Sequence, residues 1–300
     1  MSLIKEPEYL PVFYHIPKNA GTYVLSWIKA LCSQYHLFKN SDSVNQHSLH
    51  KIRRALLTLE DGAQLSCFYY TSTTINNSNP NFNTLSANDS SSDAVNLKVF
   101  IDCIESKDVE IFCIAVEPLV MGWRSARSSI NLLLQASPRK SLLDFVVLRD
   151  PYERAQSIFN YLHDKNSSHE PTHNAIESHS FIEYIHSLQL EDSWFLRSVI
   201  NIPESTIIEP YHLTLAHERW LKNFYISDIT QVDSLINKVF NDAYGISQLD
   251  IEGQFLKNNI YKNETSYKLK IKFQDLDKVT QQKFLDHTYW DRKIWERYCQ

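Results

Sequence analysis

VFYHIPKNAGTYVLSWIKALCSQY, residues 12–35, decides how the rest of the chain is read. Its opening VFYHI is a short β-like run. From Thr22 the spacing turns helical, with Val24, Trp27, Ile28 and Leu31 on one face. Between the two lies Pro-Lys-Asn-Ala-Gly-Thr, which holds one of only 5 glycines in 300 residues. A strand that turns through such a hexamer straight into a helix builds an anion site. The helix N-terminus presents amides that lack intrahelical acceptors, together with a partial positive charge. Gly21 lets the backbone curl round an oxyanion with no Cβ in the way. Thr22 caps the helix or offers its hydroxyl, and Lys18 supplies a full positive charge. The order is not that of the nucleoside-triphosphate loop, in which the lysine follows the glycines. An ordinary strand–helix turn with a surface lysine and a capping threonine accounts for the same hexamer.

Outward from this stretch, strands and helices alternate. Residues 47–59 read as a second amphipathic helix, and 65–73 as a strand rich in aromatic and β-branched residues. The polar run 73–96 lacks periodicity and is too long for a simple connector, so a mobile loop or lid is expected there. Residues 97–104 and 109–116 read as strands, and 128–137 as a helix. LLDFVVLRDP (142–151) is a buried strand that stops at Arg-Asp-Pro, and 152–164 continue as a helix with Pro151 in its first turn. Helices follow near 178–189 and 212–224, then a strand at 224–229 and a helix at 231–240. A Lys-rich loop spans 252–272, and two helical segments, 275–286 and 288–298, close the chain. This alternation predicts an α/β fold with a mainly parallel central sheet flanked by helices. No internal repeat or linker interrupts it, so a single domain over residues 1–300 is expected.

Composition narrows the function classes. Apolar residues make up 43% of the chain and charged residues 22%, ample for a packed core. A net charge of −5 excludes a general nucleic-acid binder, although a local basic groove fits inside an acidic total. No apolar run is long enough to cross a membrane, and MSLIKEPEYLP lacks the apolar core of a leader peptide. A cytoplasmic protein, microbial or viral, is therefore expected, or a chain trimmed from a longer one. Cys32, Cys67, Cys103, Cys113 and Cys299 contain no CxxC pair, and buried thiols are the expectation at Cys103 and Cys113. His169 and His173 are four residues apart in a loop, and no metal-ligating cluster is read.

The second informative stretch is VVLRDPYERAQSIFNY. Arg149 stands where a strand ends and Ser157 two turns into the following helix. Ligands of open α/β sheets gather at that edge, so Arg149 is placed to grip a phosphate. Alternatively, it pairs with Asp150 or Glu153 and fixes the turn.

Together, HIPKNAGT and VVLRDPYERAQS resemble the sulfotransferase superfamily, in particular the branch of heparan and dermatan sulfate uronyl sulfotransferases. That branch carries a Pro-Lys-Thr-Gly-Gly-Thr-like loop and an Arg-Asp-Pro-x-x-Arg-x-x-Ser segment. Here Asn19 and Ala20 stand where Thr and Gly are usual, while Arg149, Asp150, Pro151, Arg154 and Ser157 match. Residues 215–240, 263–268 and 289–298 resemble later parts of that family more loosely. The resemblance implies a P-loop-like domain and a sulfuryl donor, 3′-phosphoadenosine 5′-phosphosulfate (PAPS), used without a metal. Pro17, Lys18, Asn19, Ala20, Gly21, Thr22 and Tyr23 would hold its 5′-phosphosulfate. Arg149 and Ser157 would hold its 3′-phosphate, and Thr265, Ser266 and Lys268 would belong to a loop closing over the nucleotide. The acceptor would be a hydroxyl, on a saccharide or small molecule. A small kinase-like enzyme and a non-catalytic nucleotide-binding relative are the alternatives.

In-line sulfuryl transfer needs positive charge on the leaving oxygen and a base for the acceptor proton. Lys18 suits the first role. The family resemblance implies a histidine base between the two motifs, but no histidine occurs between His50 and His163. Glu117, after the strand at 109–116, is the candidate in its place; a solvated carboxylate or one paired with Arg124 is the other reading. His15 is the second candidate, against a packed strand residue. Arg124 and Arg127 line an acceptor groove or face solvent, and Trp123 stacks on a sugar or joins the core.

Overall fold

Two long-range strand pairings fix the architecture, and both involve the opening strand. The computed structural model describes residues 7–39, 53–59, 64–71, 95–116, 123–163, 180–187, 193–203, 205–246 and 269–300. Strand β1 (Tyr9–Tyr14) lies between β4 (Val109–Val116) and β5 (Ser141–Leu148), parallel to both. β6 (Tyr225–Asp228) extends the parallel set beyond β5. On the other side β3 (Gln64–Thr71) runs antiparallel to β4, and β2 (Arg53–Thr58) antiparallel to β3. The six-stranded order is β2-β3-β4-β1-β5-β6, a mixed sheet that is mostly parallel, as the alternating pattern predicts.

The central strands read as continuous apolar runs because both faces are covered. On one face Phe13, Phe112 and Phe145 meet α1 (Gly21–Lys39) and α8 (Val232–Tyr244) through Val24, Ile28, Leu31, Ile236 and Phe240. On the other, Leu10, Val12, Tyr14 and Val146 meet α2 (Leu97–Glu105), α3 (Trp123–Ala136), α6 (Trp194–Ile200) and α7 (Pro210–Arg219). A third cluster joins α4 (Pro151–His163) and α5 (Phe181–His186) to the long α9 (Lys278–Cys299), with Phe159, Phe181 and Phe284 inside it. Each such fully buried ring contributes roughly 1.5–3 kcal/mol through the water it leaves.

Four expectations change. Residues 53–58 form β2 rather than part of a helix, because Ala55, Leu57 and Leu59 are buried while Arg54 and Thr58 are exposed, a period of two. Residues 97–104 form α2 rather than a strand, with Phe100, Cys103 and Ile104 buried at helical spacing and Asn96 Oδ1 capping the Lys98 amide at 2.9 Å. The two closing helices are one, α9, with neither Pro nor Gly to divide it. Helix α6, not anticipated, owes its N-terminus to a distant residue: Asp291 of α9 accepts from the Phe195 and Leu196 amides, both at 2.9 Å. The run 73–94 lies outside the described residues. Cys32, Cys67, Cys103 and Cys113 are free and buried, and burial pushes the Cys103 thiol up to about 11. Among the described residues no helix is long and apolar enough to cross a membrane.

Candidate anion site at the carboxyl edge of the sheet

The chain leaves β1 toward β2 and β3 on one side of the sheet, and leaves β5 toward β6 on the other. The crevice between the carboxyl ends of β1 and β5 is therefore a switch point, where the backbones of two connections diverge and a ligand can approach both. Loop 15–20 and Arg149 stand there.

The first junction is made mainly by backbone. The His15 amide still donates to the Val116 carbonyl of β4, 3.1 Å, and the Asn19 amide turns back to the Ile16 carbonyl, also 3.1 Å. Lys18 and Ala20 take left-handed backbones, φ 65° and 60°, on either side of Asn19. Asn19 is 2% exposed, and its Nδ2 donates to the Val147 carbonyl of β5 at 3.1 Å. The first bond of α1 runs from the Val24 amide to the Ala20 carbonyl, so the amides of Gly21, Thr22 and Tyr23 precede the helical ladder. These features together make an anion-attracting helix start.

Gly21 answers a different need from the one the sequence suggests. Its backbone φ is not in the left-handed region; the residues that require that freedom are Lys18 and Ala20. A Cβ at Gly21 would stand 1.7 Å from Nε2 of His15, whose imidazole fills the space and stacks on Phe13 at 5.9 Å. Glycine is needed to admit a ring. Thr22 does not cap the helix but sits exposed in its first turn, its carbonyl accepting from the Ser26 hydroxyl at 2.8 Å. The Tyr23 side chain turns away from the crevice to Asp233 of α8, 2.7 Å, so only its amide belongs to the loop mouth.

The second junction is made by side chains. Asp150 caps α4, accepting from the Tyr152 and Glu153 amides at 2.9 and 3.1 Å, and Pro151 starts the helix where no N–H is required. Arg149 Nη1 donates to the Lys18 carbonyl at 3.3 Å, and Arg154 Nε to the Pro17 carbonyl, also at 3.3 Å. Arg149 additionally pairs with Glu153 at 3.4 Å, but that carboxylate is 60% exposed and the pair is a weak, solvated one. The Lys18 ammonium rests 4.0 Å from the ring centroid of Tyr161. Glu153, Ser157 and Tyr161 follow one another at four-residue intervals, so Ser157 lies on the helix face that meets Arg149 at one end and Lys18 at the other.

Lys18, Arg149 and Ser157, read from separate stretches, are thus brought to one edge. Beneath them Ile16, Asn19, Arg149, Arg154, Tyr184, Phe195, Asp291 and Trp295 border a cavity of about 40 Å³. That is room for water, far below the roughly 300–1,000 Å³ of a small-molecule pocket. A ligand larger than a few waters would lie at the mouth of the crevice rather than inside this cavity.

No family model, curated protein or solved structure matches this chain. The assignment of the site therefore rests on its own geometry.

Glu117, Thr265, Ser266 and Lys268 lie outside the described residues. Leu269, among the described residues, exchanges two 3.1 Å hydrogen bonds with the side chain of Asn160, next to Tyr161 in α4. Trp123 is a core residue, 5% exposed, between Tyr14 and Phe195. Arg127 neither lines a groove nor floats in solvent. Its Nη1 donates to both oxygens of buried Asp144 at 2.6 Å and to the Tyr14 hydroxyl at 3.0 Å. Burial raises the Tyr14 phenol well above its usual value. Of the residues without a role in the sequence reading, Tyr161 and Arg154 matter most. Only Arg154 carried a signal, its place in the Arg-Asp-Pro-x-x-Arg segment.

Proposed function

We propose that the chain is a PAPS-dependent sulfotransferase with a P-loop-like donor site, moving a sulfuryl group to an acceptor hydroxyl, on a saccharide or small molecule. One observation carries the reading: two cationic motifs more than a hundred residues apart meet at the switch point, with Arg149 bonded to the backbone of Lys18. The donor has anionic groups at the 5′ and 3′ positions of a single ribose, and two adjoining strand–helix junctions suit such a molecule. The helix start with Lys18 takes the phosphosulfate, and Arg149 with Ser157 takes the 3′-phosphate. In the transfer, the acceptor oxygen bonds to sulfur as the bond from sulfur to the phosphate oxygen breaks. The electron pair stays on adenosine 3′,5′-bisphosphate, where Lys18 and the α1 amides offset the charge.

The acceptor proton goes to a base, and Glu117 is our assignment. It directly follows Val116, whose carbonyl is bonded to the first residue of the loop. His15 suits the role less, because its ring is packed over Gly21 and against Phe13. Calorimetric titration tests the reading: adenosine 3′,5′-bisphosphate binds in preference to ATP, and Lys18→Ala or Arg149→Ala weakens it at least tenfold. Preferential ATP binding would defeat the proposal.

A second reading, a nucleotide-binding protein without transfer activity, is favoured by the use of Arg149 and Arg154 as braces for loop carbonyls. Sulfate transfer from labelled donor, lost in Glu117→Gln, separates the two.

A further inference from the structure

Only half of the Asn19 amide is spoken for. Its Nδ2 donates to the Val147 carbonyl at 3.1 Å, which fixes which atom is which, since exchanging them would set oxygen against oxygen. Oδ1 is the atom left over. It is buried, in a residue 2% exposed, and has no hydrogen-bond partner among the described residues. Asn19 borders the cavity of about 40 Å³ beneath the crevice, together with Arg149, Arg154, Thr288 and Asp291. We propose that this cavity is an internal water site, in which a water donates to Asn19 Oδ1 and accepts from a guanidinium N–H of Arg154 or Arg149.

Size and chemistry choose the occupant. The volume admits about two or three waters and no organic ligand. A small anion would suit the two guanidiniums but would meet the Asn19 oxygen and the Asp291 carboxylate. A small cation would suit those oxygens but would meet the guanidiniums. Water serves both, because it donates and accepts at once. Arg154 spends its Nε on the Pro17 carbonyl, which leaves the N–H groups of its two Nη atoms. The Thr288 hydroxyl donates to the Phe284 carbonyl at 2.8 Å and keeps its lone pairs for a further water. A buried acceptor left bare forfeits the hydration it had in the unfolded chain; a water held by three groups restores it for a small loss of entropy. Such a water ties the loop to α4 in a third way, beside the direct bonds from Arg149 and Arg154. The site belongs to the two junctions themselves and holds whether or not their mouth takes a nucleotide.

A crystal structure of the full chain, grown with bromide, tests this. A solvent peak without anomalous signal is expected at roughly 2.7–3.2 Å from Asn19 Oδ1, with a second contact to Arg154 or Arg149. An Asn19 oxygen with no water on it, or an anomalous peak in the cavity, overturns the proposal. In solution, oxygen-17 relaxation dispersion counts long-lived waters. Asn19→Leu, close in size but without an acceptor, should hold at least one fewer than wild type; an equal count overturns the site. Should Asn19→Leu fail to fold, the crystal structure decides alone.

Discussion

The β1–α1 and β5–α4 junctions begin alike, each a buried parallel strand running straight into a helix, and are stabilised in opposite ways. The first depends on backbone: two left-handed residues, a buried asparagine, and a glycine whose missing Cβ makes room for His15. The second depends on side chains: an aspartate cap, a proline at the helix start, and two arginines that reach out of it. A loop that turns its amides outward cannot satisfy its own carbonyls with them. The second junction supplies the missing donors, so the two form one unit, and damage to either should appear in both.

The largest effect is expected from Gly21→Ala, which forces the His15 ring out of place and costs about 1–3 kcal/mol, the range for overpacking a filled site. Urea unfolding of Gly21→Ala, His15→Ala and the double variant checks the cause. The double variant should recover much of the loss, since residues that share one space are not additive; strict additivity would mean that the ring is not the obstacle. Asp150→Ala strikes the other junction and removes a helix cap, at about 1 kcal/mol. Hydrogen exchange should then speed up in the first turn of α4 and, if the two junctions are coupled, in loop 15–20 as well. Protection unchanged in that loop would break the comparison. The smallest effect is expected from Ala20→Gly. Relief of a left-handed alanine, worth about 1–2 kcal/mol, is offset by about 0.5–1 kcal/mol of extra chain entropy. A net gain of zero to about 1.5 kcal/mol in urea unfolding is the outcome.

Legibility in the sequence followed the span over which each choice is made. The sheet strands at 109–116 and 142–148 are visible because a strand covered on both faces must be apolar throughout. Ala55, Leu57 and Leu59 carried a two-residue period that the helical spacing of Leu49, Ile52 and Leu56 masked. Asn96 was a readable cap before a segment that reads as a strand by β-branched content alone. What the sequence could not disclose depends on distant partners. Asp291 caps a helix some ninety residues before it. Arg127 finds Asp144 across the core. Gly21 stood out by rarity, and its neighbours suggested an anion as the reason; the nearer reason is a ring six residues earlier, which only the turn of the loop brings beside it.

The place of β1 in the sheet also governs how the protein comes off the ribosome. Among the described residues its sheet partners are β4 and β5, and Tyr9 pairs with Ser141. In the growing chain β1 thus stays apolar and unpaired until β4, about a hundred residues further on, has been made. Loop 15–20, whose His15 amide bonds to the Val116 carbonyl, takes shape only after that wait, and an apolar strand left unpaired so long is prone to aggregate.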